Sequence, residues 1–265
     1  GEGWCFMIDA VSYLAVIASL LAMRVAPRAL GRAGGANMLR QLREGWTYAA
    51  RFAPIRDVLI LLALVSLVGM PYTVLMPVFA NQVLQGGPNT LGLLMAASGV
   101  GALSGAVFLA SRKSVLGLGK YIPLTAAAFG AGLISFSFSR SLWLSMLLMV
   151  VTGLGFMVQM AASNTVLQTI VDEDKRGRVM SFYTMAFMGT APFGSLLAGS
   201  VAERIGAPHT LMFGGLGCIV GAAWFALSLP RLRRDVRPIY VRIGILPEMA
   251  QGIHTTSELS VPPES

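Results

Sequence analysis

The sequence predicts an all-α, polytopic membrane helical bundle with seven transmembrane helices. Three observations predict it. Apolar residues make up 55% of the 265 residues and charged residues 12%, against roughly 45–50% and about 25% in soluble domains. Mean hydropathy is +0.70. The apolar residues also gather in seven runs that can cross a bilayer, which takes about 20 residues at 1.5 Å each. Collagen is excluded because the 30 glycines follow no three-residue period. Disorder is excluded by the apolar content, and two cysteines cannot staple a disulfide scaffold.

The runs are 4–23, 55–84, 91–110, 121–138, 142–170, 179–202 and 211–229. Each is apolar all round rather than striped, as lipid requires. The first is not a secretory signal: Glu2 stands before it and the positive charge follows it. A chain opening at Gly1 almost directly on a span is expected to be part of a longer one. Residues 24–54 form a polar linker with one helix, capped by Asn37 and closed by Pro54. Met38, Leu39, Leu42, Trp46, Ala49 and Ala50 share a face of it, away from Arg40, Arg43, Glu44 and Arg51. That pattern fits a helix on the membrane surface and equally a connector with an apolar side. Residues 55–230 then form a six-helix domain. Residues 231–265 are expected to be a cytoplasmic tail, mostly disordered, with four prolines after position 237.

Two runs carry breakers. Run 55–84 holds Pro71 and Pro77 around Tyr72 and Thr73, and run 179–202 holds Gly189, Pro192 and Gly194. Proline removes a backbone donor and kinks a helix. Such kinks are either static bends or the broken helices that mark transporter binding sites. Small residues at four-residue spacing (Gly101 with Gly105, Gly217 with Gly221, Ser195 with Gly199) predict close helix contacts.

Orientation follows from the cations. Alternate connections hold 18 and 2 of the 20 Lys and Arg residues, which places the N-terminus outside and the C-terminus in the cytoplasm. The net charge of +8 lies in short blocks between spans. Anionic membrane lipid is therefore the expected partner, and nucleic acid is not.

Candidate functional residues are few. Asp9 is an acid at membrane depth, a functional position by default. Gln159 with Ser163, and Asn164 with Gln168, are i,i+4 polar pairs in run 142–170. They suit a polar solute pathway, as does Tyr72 between the prolines; interhelical hydrogen bonds would serve the pairs equally. Arg112 and Lys113 in one connection, and Asp174, Arg176 and Arg178 in another, could latch the two loops by ion pairs or merely set topology. Enzyme chemistry is not expected. His209 and His254 are isolated, no set of residues has metal-ligand spacing, and Gly117, Gly119 and Lys120 lack the phosphate-loop frame. No cofactor is expected.

The segment GAVFLASRKSVLGLGK (105–120) resembles the signature loop of the major facilitator superfamily. Gly105, Leu109, Ala110, Arg112 and Lys113 follow its pattern, and Ser111 stands where the family has an acid. Residues 164–208, with RGRVMSFY at 176–183 as the sharpest piece, resemble the tenth and eleventh helices of the enterobactin-exporter-like branch, the transmembrane secretion effectors. Gly189, Pro192, Gly194 and Gly199 echo the antiporter signature of the fifth helix. The resemblance implies that run 4–23 is the last helix of an N-terminal half, and that the next six runs are the C-terminal half of a twelve-helix transporter. It implies a bacterial inner-membrane antiporter, a proton-coupled exporter of a drug, macrolide or siderophore by alternating access, whose partner is the N-terminal half of the same protein. Two rival readings are a seven-helix receptor, which lacks a lysine for retinal in its last span, and a non-transporting scaffold or half-protein.

Overall fold

The computed structural model describes residues 2–23, 38–112 and 114–243. It resolves into two compact units, 1–41 and 42–265. In the first, α1 (Glu2–Ala22) is a single helix whose apolar stretch Phe6–Ala22 is shorter than the others. Trp4, Phe6, Ile8, Tyr13 and Leu21 are all exposed, as befits a helix whose solvent is lipid.

The second unit begins within α2 (Met38–Arg51). Six helices follow that are long and apolar enough to cross a membrane: α3 (Ala53–Val83), α4 (Pro88–Ala110), α5 (Leu118–Phe138), α6 (Leu142–Ile170), α7 (Glu173–Ile205) and α8 (Ala207–Arg242). All six coincide with sequence runs, widened at their ends by prolines in first turns (Pro54, Pro208), where a missing N–H is harmless. Six helices long and apolar enough to span are thus seen among the described residues. Gly117 and Gly206 turn the chain into α5 and α8 with φ of 83° and 85°, a left-handed backbone that disfavours any side chain.

The helices pack α4 on α6, α6 on α5, α5 on α8 and α8 on α3. Phe79, Phe129, Phe136 and Phe225 fill the centre without exposure. Close approach depends on absent side chains. A Cβ on Gly101 would strike the Val150 carbonyl, and one on Gly153 the Ser98 carbonyl, so α4 and α6 touch backbone to backbone at both levels. Gly217 and Gly221 meet Val68 and Leu64 of α3 as their spacing predicts, whereas Gly199 meets nothing within 4 Å.

The apolar run ends at 229, and α8 continues through Pro230 and Pro238 to Arg242, into the stretch expected to begin a mostly disordered tail. Leu232 and Val236 are buried against the bundle. Tertiary burial holds a stretch whose composition reads as a tail. Residues 244–265 lie outside the described ones.

Candidate functional site

The breakers in α3 and α7 do more than bend. In α3 the backbone is α-helical over Ala53–Leu64 and Tyr72–Val78 and widens to π-turns over Val65–Gly69 and Phe79–Val83. In α7 the π-turn is Met185–Gly189, and Pro192 stands in the first turn of the restarted helix, Ala191–Ile205. Pro71 and Gly189 thus mark ends of widened segments, and Pro77 lies inside the short helix between two of them. Such turns release backbone groups, and they cluster at functional positions.

The two interruptions face each other. Ser66 Oγ donates to the Phe187 carbonyl, Thr190 Oγ1 reaches the Ala63 carbonyl at 3.4 Å, and Gly194 lies against the Leu67 carbonyl. From there rings run inward. Phe187 is 6.0 Å from Phe156, Phe156 is 5.5 Å from Phe129, and Phe129 stands edge-on to Tyr72 at 6.0 Å. Tyr72 is buried and shares a 3.3 Å hydrogen bond with Ser98 of α4. It therefore ties α3 to α4.

Both polar pairs of α6 are formed. Gln159 Nε2 lies 3.5 Å from Ser163 Oγ, and Gln168 Nε2 donates to Asn164 Oδ1. Gln159 is fully buried, and its Oε1 accepts no hydrogen bond from the described residues. Nearer the helix end, Thr165, Gln168, Thr169 and Arg176 line a polar recess of 440 Å³. An apolar groove of 490 Å³ runs beside α3 and α7, lined by Ile60, Met185 and Phe193 and by Trp46, Phe182 and Arg56. These groups can hold a solute by hydrogen bonds and apolar contact. The described residues bring no three metal-ligating side chains together.

Of the expected latch residues, Arg112 lies over the Tyr121 ring, 4.5 Å from its centre, and Lys113 is outside the described residues. Arg176 pairs with Glu173 of its own helix at 3.9 Å; Arg178 lies beside Gly45 of α2; Asp174 is near them in the first turn of α7. A cluster of ion pairs forms on Asp172, a residue that sequence reasoning does not single out. Arg242 Nη2 donates to its Oδ1 at 2.9 Å, Lys175 lies 3.6 Å from its Oδ2, and Tyr48 Oη donates to that oxygen at 3.4 Å. Lys175 also covers the Tyr48 ring. The Arg242 hydrogen bond, then the Lys175 charge, holds the Asp172 carboxyl below the usual range. Burial and the Asp172 charge push the Tyr48 phenol up. A second missed acid, Asp57, is buried near the start of α3 and paired at 3.0 Å with its neighbour Arg56. Asp9 is exposed on α1, in the first unit.

Comparison with known families decides the identity. Residues 1–240 match the family of transmembrane secretion effectors. The chain belongs to that family, a branch of the major facilitator superfamily. This secretion-effector chain is also 26% identical over 166 residues to the staphyloferrin A transporter of Staphylococcus aureus (strain NCTC 8325 / PS 47). The match covers 62% of this chain and 41% of that relative, so the chain spans about two fifths of its length. A multi-pass membrane protein follows from the family and the six apolar helices.

Proposed function

We propose that this chain is the C-terminal portion of a secondary active transporter, which exports a small amphipathic solute by alternating access. The observation that carries the reading is the facing pair of interrupted helices, α3 and α7. They are bridged by the side-chain-to-carbonyl contacts of Ser66 and Thr190. Such a seam can re-pair as helices rock, because each interhelical hydrogen bond in a membrane is worth only about 0.6–2 kcal/mol. The groove beside it suits an apolar body, and in this reading Gln159 and Asn164, on adjacent faces of α6, meet the polar substituents. The family and the staphyloferrin A relative favour the siderophore end of the expected drug, macrolide and siderophore range.

In this reading α1 is the seventh crossing, the last helix of an N-terminal half, and the C-terminus is cytoplasmic in a bacterial inner membrane. Proton coupling gives uphill export its driving force, about 2.3 kcal/mol per charge per 100 mV. The test is efflux from vesicles carrying the full-length reading frame. Flux of a siderophore that a protonophore abolishes, and that Gln159→Leu lowers at least fivefold, is the expected result. Flux indifferent to the protonophore would remove the coupling, and no flux across all three solute classes would leave a scaffold.

A further inference from the structure

We propose that the loop-bearing end of α5 and the final turns of α8 form a binding site for the phosphate of an anionic phospholipid. The inference rests on membrane insertion and not on transport. Lys120 of α5 and Arg233 and Arg237 of α8 line a recess of 310 Å³ whose floor includes Leu232 and Val236 and whose wall includes Tyr240. Lys120, Arg233 and Arg237 are exposed, while Leu232 and Val236 are buried. Arg233 and Arg237 are one helical turn apart, so both guanidiniums project on the Lys120 side. Among the described residues none of these three cations has a carboxylate partner within 4.0 Å, although Asp235 is on the same helix.

Three cations left together repel one another and gain from a shared anion. The continuation of α8 beyond the apolar run carries them there, at the level where a lipid headgroup meets its acyl chains. The apolar floor then selects the source of the anion. A free phosphate would desolvate against Leu232 and Val236 for no gain, whereas a phospholipid lays its first methylenes against that floor and gains by burying them. Two arginines can each grip phosphate oxygens through paired N–H donors, Lys120 adds a point charge, and basic pockets between membrane helices bind anionic headgroups in this way.

The test is native mass spectrometry of the chain released from detergent micelles, doped in turn with phosphatidylglycerol, phosphatidylcholine or inorganic phosphate. One phosphatidylglycerol is expected to stay bound at collision energies that strip phosphatidylcholine. The K120Q/R233Q/R237Q variant should retain at least fivefold less. R233K/R237K, which keeps the charge, should retain most of it. R231Q/R234Q, which removes two charges elsewhere on α8, should not change it. Equal retention of both lipids, or equal loss in R231Q/R234Q, would overturn the proposal in favour of a diffuse basic surface. Retention of inorganic phosphate alone would overturn it in favour of a soluble anion site. All variants alter exposed side chains, and a monodisperse elution profile checks that each has folded.

Discussion

At the residue scale the informative group is Asp172, because one carboxylate gathers three elements. Arg242 comes from the end of α8, Tyr48 from α2, and Lys175 from the first turn of α7. The pairs with Arg242 and Tyr48 span 70 and 124 residues of sequence, so neither spacing nor composition could announce them. The reading of the loops anticipates ion pairs there without singling out Asp172. A carboxyl held below its ordinary value stabilises the fold fully above that value, near 3.8, and the contribution is lost as pH falls through the lowered one. The protection of the amides over 236–242, taken relative to their intrinsic exchange rates at each pH, should therefore fall as the protein is acidified below about pH 4. Asp172→Asn should lower the same protection several-fold at neutral pH and leave it without this acid-dependent fall. An unchanged profile in the variant would assign the acid response to another group. The exposed setting keeps the effect modest, as for surface pairs generally.

Element by element, the spans were legible because the bilayer allows few alternatives. Every backbone group in lipid must be satisfied within a helix, so apolar length alone located α3 to α8. The breakers were legible as kinks at Pro71 and Gly189. That they widen into π-turns and face each other was not, since it depends on which helices become neighbours. The reach of α8 to Arg242 was not legible for the same reason: burial of Leu232 and Val236 is decided by the bundle and not by local propensity. Glycine spacing was a partial guide, right for Gly101 on α4 and empty for Gly199 on α7. The two positions make a matched prediction. Gly101→Leu should lower stability by about 1–3 kcal/mol, the usual cost of overpacking, because the Val150 backbone cannot step aside. Gly199→Leu should change it by less than about 0.5 kcal/mol. Thermal unfolding in one detergent, followed by the fluorescence of Trp143 and Trp224, separates the two, and equal midpoints would refute the backbone contact between α4 and α6.

For the whole molecule the decisive feature is the unequal burial of the helices. Over its most apolar window α5 is 56% buried, while α4 is 22% buried and α7 only 6%. A helix whose neighbours are all inside this unit would resemble α5. Lipid alone could cover α4 and α7. A second protein surface would cover them as well, and the proposed N-terminal half is the natural candidate. Single cysteines at Leu103 on α4 and Leu196 on α7, both well exposed here, test this in a background where Cys5 and Cys218 are replaced by alanine. A membrane-soluble maleimide should label both sites rapidly in this chain alone. In the full-length protein labelling of at least one site should slow tenfold or more, while Leu227 on α8, the most exposed leucine of its helix, should react equally in both. If Leu103 and Leu196 react as fast in the full-length protein as Leu227 does, these helices face lipid. The seam between α3 and α7 would then have no opposing half to rock against, and alternating access built on it would have to be abandoned.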